Sequence, residues 1–314
     1  MVQPRRLIAQ LEDNVSRVIV GKEDAIELAL IALLCRGHVL IEDVPGVGKT
    51  TMASALARSL DCSFRRIQFT PDLMPSDVTG FTLINFHTGD MEYREGAVMS
   101  QIVLADEINR TSPKTQSALL EVMEEHQVTV DGVTHPLPQP FMVLATQNPG
   151  AFVGTYPLPE AQVDRFFLRI SMGYPTIEEE MDVLERYSTG TTPLETLSSV
   201  CSAQDVLSMQ DMVTQVYCSP EVRSYVAQIA AMTRQHASLQ LGISTRASIA
   251  LVHAAQACAM LDGRDYIVPE DVQHMLLPVT CHRLVLNPEA RMKGVTPEQV
   301  MKQIMNSVTV PLHL

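Results

Sequence analysis

IEDVPGVGKTTMASAL, Ile41 to Leu56, is the stretch whose reading decides the fold. The short apolar run His38-Val-Leu-Ile-Glu42 reads as a strand, TTMASALARSL as a helix, and Pro45-Gly-Val-Gly48 as the turn between them. Strand, glycine loop, helix is the context in which backbone N–H groups wrap a β-phosphate at the positive end of a helix. In such a loop Lys49 spans the β- and γ-phosphates of ATP and Thr50 ligates Mg²⁺. The general pattern G-x-x-x-x-G-K-[ST] has a glycine where this chain has Asp43. Asp is among the non-glycine residues that tolerate positive φ or bond a turn backbone, so Asp43 reads as a tight-turn former.

Strand-like runs recur at FRRIQF (64–69), QIVLADE (101–107), FMVLAT (141–146) and FFLRIS (166–171), separated by helical segments such as SPKTQSALLEVMEEH. Apolar strands alternating with helices predict an α/β fold, a parallel sheet flanked by helices. Two β-hairpin inserts interrupt the alternation: FTLINFHTGDMEYR turns near Thr88-Gly89-Asp90, and QVTVDGVTHPLP turns at Asp131-Gly132. Pattern alone leaves open whether they merely cover the sheet. Beyond Tyr174-Pro175 come a helix, the polar stretch STGTTPLETLSS and then helices only. The division expected is an α/β domain over 1–190 and a small all-helical lid over 191–314.

At 314 residues and 46% hydrophobic the chain can bury a sizeable core. Its 23 Lys plus Arg against 36 Asp plus Glu give a net charge of -13, which argues against broad attraction to nucleic acid or anionic membrane. The six cysteines lack C-x-x-C spacing and most sit in apolar surroundings, as reduced core thiols do. The N-terminus lacks a signal-peptide core and no apolar run approaches a membrane span, so a cytoplasmic protein is expected.

A phosphate loop needs a metal-holding carboxylate on a neighbouring strand, and Ile102-Val-Leu-Ala-Asp106-Glu107 supplies one. Asp106 would hold Mg²⁺ through water, and Glu107 would orient and deprotonate the attacking water. FMVLAT ends in Gln147-Asn148-Pro149, placing the Asn148 amide beside the γ-phosphate. Asp164-Arg165-Phe166 precedes the last strand; alone it reads as a surface ion pair. In a ring of identical subunits Arg165 could reach a neighbour's nucleotide, where an arginine finger is worth roughly 10³ to 10⁵ in rate. In GISTRAS, Ser244 stands at a helix start and Arg246 in the first turn, where a cation opposes the macrodipole. A role against phosphate would account for it.

Together these residues resemble an AAA+ ATPase, and more narrowly the MoxR family. VIVGKEDAI, with Val20 and Gly21, is similar to the family's segment around adenine. EDVPGVGKTTMA is similar to its Walker A, carrying nucleotide contacts at Asp43, Val44, Pro45, Gly46, Val47, Gly48, Lys49, Thr50 and Thr51. VLADE resembles Walker B, ATQNP sensor 1, LPEAQVDRFFLRI the arginine-finger region and STRAS sensor 2. The resemblance implies a P-loop AAA+ domain with hairpin inserts and a lid. It also implies a ring, usually a hexamer, hydrolysing ATP with Mg²⁺ to remodel or activate a partner protein, often one with a von Willebrand factor A domain. The chain has no D-x-S-x-S motif of its own, so that partner would be a separate protein. Whether Arg246 serves its own or a neighbour's nucleotide stays open. Two other readings compete. A P-loop kinase of small molecules leaves Asn148, Arg165 and the lid without roles, and a ring-forming nucleic-acid motor fits poorly with the negative charge.

Overall fold

Alternation along the central strands sends their side chains to two cores. In the computed structural model, which describes residues 3–87, 89–148, 155–188, 190 and 192–311, Val39, Ile41, Leu104 and Leu144 enter one core. Leu40, Val103, Val143 and Ala145 enter the other. A strand buried on both faces must be covered on both, and helices do so here.

The chain begins with α1 (Pro4–Ser16) and α2 (Glu23–Leu34) and then enters β1 (Val39–Glu42). After it come α3 (Lys49–Ser59), β2 (Phe64–Gln68), α4 (Pro75–Thr79), and the hairpin β3 (Gly80–Ile84) and β4 (Met91–Glu95). Next are β5 (Ile102–Asp106), α5 (Pro113–Glu125), and the second hairpin β6 (Gln127–Val130) and β7 (Val133–Pro136). The large domain continues through β8 (Met142–Gln147), α6 (Glu160–Val163), β9 (Leu168–Ile170) and α7 (Ile177–Tyr187). β2, β5, β8, β1 and β9 form the parallel sheet in that order. The chain leaves β1 for β2 on one side of it and later passes from β8 to β9 on its other side, so β1 stands at the switch point where open α/β sheets bind ligands.

Both expected hairpins form. β6 and β7 join through Asp131 and Gly132, both at positive φ, as a tight two-residue hairpin requires. β3 and β4 pair from Gly80–Glu95 to Ile84–Met91, while Thr88 of the anticipated turn lies outside the described residues. The two inserts meet, with the Tyr93 and His135 rings stacked at 3.8 Å.

After α7 the chain passes over the end of α3, where Arg58 donates to Leu194 O and Ser59 O accepts from Val200 N. Then follow α8 (Ala203–Val213), α9 (Pro220–Gln235), β10 (Leu239–Leu241), α10 (Thr245–Leu261) and α11 (Pro269–Thr280). β11 (Val285–Leu286), α12 (Pro288–Met292) and α13 (Pro297–Ser307) complete the lid. This part is helical, as expected, but not wholly so, because β10 and β11 form an antiparallel pair. Strands of three and two residues are too short to show alternation. The first helix also stops short of the apolar residues Val18–Val20, releasing them toward the nucleotide cleft described below.

His38 fastens the start of β1 to β8 and to α5: its Nδ1 accepts from Val143 N (3.0 Å) and its Nε2 donates to Met123 O (2.9 Å). Burial, opposed by the Met123 bond, lowers its pKa from 6.5 to about 4. The unfolded chain therefore takes up a proton that the folded chain refuses, and stability present above pH 6.5 is lost as pH falls toward 4. The loss at this site should reach about 3 kcal/mol. Melting followed from pH 7 to 4.5 should show a shallower decline in His38→Gln, and parallel declines would refute the assignment.

Candidate active site

β1 ends at Glu42 and α3 begins at Lys49, leaving residues 43–48 as the loop. Gly46 and Gly48 have φ of +86° and +92°, a region closed to most side chains. A Cβ added at Gly46 would meet nothing within 4 Å, so the loop leaves open space above the N-terminus of α3, as an anion cradle must. Lys49 Nζ donates to Asp43 O (2.9 Å) and Val44 O (3.3 Å), lying back along its own loop. Burial lowers its pKa, against the opposing pull of Asp43, Asp106 and Glu107.

Asp43 does more than shape a turn. It is not among the residues with positive φ, and its side chain is buried. Oδ1 accepts from Val44 N (2.9 Å); Oδ2 accepts from Ser171 Oγ (3.2 Å), Gly173 N (2.7 Å) and Met172 N. The carboxylate thus ties the phosphate loop to the segment leaving β9, and glycine there would leave those donors without it.

A cleft of about 440 Å³ gathers Pro45, Gly46, Gly48, Lys49, Thr50 and Thr51 with Asp106, Glu107 and Asn148. Asp106 Oδ1 accepts from Thr146 Oγ1 (2.7 Å), and its Oδ2 pairs with Arg66 from β2. Glu107 has φ 57° and ψ 50°, a left-handed backbone that costs a non-glycine residue about 1 kcal/mol or more and turns the chain directly after Asp106. Its Oε1 accepts from Asn148 Nδ2 (3.1 Å), and its Oε2 accepts from Gln68 Nε2 (3.0 Å) and Arg110 Nη1 (2.8 Å). Pro149 lies outside the described residues. The hard oxygens of Asp106 and Thr50 suit Mg²⁺, and a guanidinium on the Asp106 carboxylate shows that the position already draws a cation.

Beside the loop an apolar cleft is lined by Val18, Ile19, Val20, Val47, Pro175, Val183 and Tyr187, the kind of lining a nucleobase takes. Gly21 is adjacent, at φ +66°, next to Glu179, but does not line the cleft. Val44 acts through its backbone alone, donating to Asp43 and accepting from Lys49.

Arg165 and Arg246 are elsewhere. They share the carboxylate of Glu124 on α5: Arg165 Nη1 lies 3.1 Å from Oε2, and Arg246 bonds Oε1. The Arg246 bond, foremost, keeps the Glu124 pKa below the ordinary carboxylate value. Ser244 caps α10 by accepting from Ala247 N (3.1 Å) and donates to Asp164 (3.0 Å), which locks the start of α10 to the residue before Arg165. Their pocket also contains His38 and Phe167, which stand at the N-terminal ends of β1 and β9. The phosphate loop follows the C-terminal end of β1. Strands of this length separate the two ends by on the order of 15 Å, so neither arginine touches its own subunit's phosphate cleft.

Residues 38–168 match the family model described as ATPase family associated with various cellular activities (AAA), and residues 231–304 match the AAA lid domain. A protein named Chaperone MoxR1 from Mycobacterium tuberculosis is 40% identical over 95% of this chain and 81% of its own. The chain belongs to the MoxR family of AAA+ ATPases. An uncharacterized Bacillus subtilis protein, YeaC, is 53% identical over 98% of this chain and 96% of its own. A crystal structure of a Cytophaga hutchinsonii protein, provisionally named an ATPase, superposes with a TM-score of 0.92 at 40% identity, covering 98% and 96% of the two chains.

Within this MoxR-family site, the sequence reading overlooked Arg66, Gln68, Thr146, Glu124, Val183 and Tyr187. Arg66 and Gln68 had a signal: polar residues at i, i+2 of β2, pointing the same way, on the face opposite Arg65 and Ile67. Two outcomes test the geometry. Arg66→Met should lower the Mg²⁺ concentration needed for tight binding of a fluorescent ADP analogue, and an unchanged Mg²⁺ midpoint would contradict competition at Asp106. Asp43→Gly should weaken nucleotide binding about tenfold and lower Tm, since charge-assisted bonds contribute about 1.5 to 3 kcal/mol each. Wild-type affinity would return Asp43 to a turn role.

Proposed function

We propose that this protein binds Mg-ATP and hydrolyses it to ADP and phosphate within a homo-oligomeric ring, a hexamer by family habit, to remodel or activate a partner protein. The observation that carries the reading is the division of the cationic groups. Lys49 stands at one end of the sheet and Arg165 with Arg246 at the other, where only a neighbouring copy can bring a nucleotide. Both arginines then act in trans.

Phosphate oxygens would take Lys49 from the two carbonyls it now bonds, while Val20, Val47 and Tyr187 would enclose the base. Mg²⁺, held by Thr50 and Asp106, would neutralise charge on the phosphates. Glu107 is the group placed to orient water and take its proton, with Asn148 fixing the same water. As the site stands, three donors occupy its carboxylate, so a water can bond it only as Gln68, Arg110 or Asn148 turns away. Arg165 and Arg246 from the adjacent copy would meet charge developing on the γ-phosphate.

Remodelling of a partner is supported by the name of the mycobacterial relative and by the β3–β4 hairpin, whose Leu83, Ile84, Phe86 and Met91 stand exposed. A separate protein bearing a von Willebrand factor A domain is the partner class we infer. We place the domain boundary at residues 190/191 and the protein in the cytoplasm. No helix among the described residues is long and apolar enough to cross a membrane.

Phosphate release from Mg-ATP without any added acceptor is the deciding measurement; strictly acceptor-dependent ADP formation would indicate a kinase instead. Glu107→Gln should bind ATP normally with turnover reduced at least a hundredfold, the scale of general-base catalysis. Chains carrying Arg165→Ala and Lys49→Ala, each inactive, should recover activity when mixed; no recovery in verified mixed rings would refute action across subunits.

A further inference from the structure

Among the described residues, one uncovered apolar surface lies beside each half of the divided site. The first is a ridge on α7. Ile177, Met181 and Leu184 recur at i, i+4 and i+7 and are 75%, 65% and 66% exposed. Exposed Glu178, Glu180 and Glu185 flank the ridge. Another face of the same helix sends Val183 and Tyr187 into the base cleft.

The second surface is a groove between α9 and α10. Val226, Ala230 and Val252 form its apolar lining, Ile249 stands 54% exposed beside them, and Arg223 and Arg234 border it. Ile249 and His253 also line the pocket that holds Arg165 and Arg246. The ridge is therefore bordered by acids and lies on a helix that lines the base cleft. The groove is bordered by bases and abuts the arginines.

The geometry points to a single occupant for both surfaces: the α7 ridge of one copy seats in the α9–α10 groove of the next. This rests on the reading that Arg165 and Arg246 serve a neighbour. Bringing those arginines to a neighbour's phosphates carries the adjoining groove toward whatever flanks that neighbour's base cleft, and α7 flanks it. The charges are complementary in sign, which steers and registers such a contact. Each large aliphatic side chain buried on docking removes apolar surface from water and so stabilises the contact. Ridge and groove are different surfaces, so the contact is head-to-tail, the kind from which rings and not two-fold dimers are built.

Met181→Asp and Ile249→Asp, both at exposed positions, should each raise the subunit concentration needed for Mg-ATP-dependent assembly at least tenfold in sedimentation velocity, about 1.4 kcal/mol. Binding of a fluorescent ATP analogue to the isolated subunit should not change. A chain with Met181→Cys and Ile249→Cys should give disulfide-linked ladders under mild oxidation, beyond those of the parent and of either single variant. Normal assembly of both aspartate variants without ladders would overturn the ridge-in-groove contact and leave the ring standing. Ladders that stop at dimers would overturn it in favour of a two-fold contact. A parent chain that stays monomeric with Mg-ATP would remove the ring and this contact together.

Discussion

A parallel sheet has two chemically unlike ends, and that constraint organises the rest of the molecule. β2, β5, β8, β1 and β9 all run the same way, so every strand delivers its last residue to one edge. Asp43, Asp106, Glu107 and Asn148 arrive there because each follows or closes a strand, and the glycine loop places a helix N-terminus among them. Whatever precedes the strands gathers at the other edge: His38 before β1, and Arg165 and Phe167 before β9. The lid extends that second edge, and the Ser244–Asp164 bonds fix α10 to it.

At the phosphate edge the polar groups satisfy one another. Lys49 bonds loop carbonyls, Asp106 is held by Arg66 and Thr146, and Glu107 is held by Gln68, Arg110 and Asn148. Partly buried charges need partners, and here the chain supplies its own. Binding a nucleotide at this edge is consequently an exchange of contacts. β2 has a particular position in that exchange, because Arg66 and Gln68 grip the two carboxylates while the same strand leads into α4 and the β3–β4 hairpin.

The architecture was legible wherever local pattern and tertiary demand coincide. β1, β5 and β8 are buried on both faces and read as unbroken apolar runs; the Asp131-Gly132 turn is readable because a tight hairpin needs positive φ at both residues. Contacts between residues distant in sequence were not legible. Asp43 looked like a turn residue because its partners, Ser171 to Gly173, lie on the far side of most of the large domain. Arg246 looked unsupported at its helix start because Glu124 belongs to another domain's helix. β10 and β11 escaped because so few residues carry no period. The same limit hid the side on which Arg165 and Arg246 stand, since motif order along the chain says nothing of which end of the sheet a residue reaches.

The separation of Lys49 from Arg165 and Arg246 has an arithmetic consequence. If each phosphate cleft is completed by the next copy, an open row of subunits always contains one cleft without arginines and one arginine pair without a nucleotide. Closing the row adds a complete site without adding a residue. Turnover per subunit then reports closure as well as assembly, and a partner that pries the ring apart at one seam would silence one site before it disturbed the others.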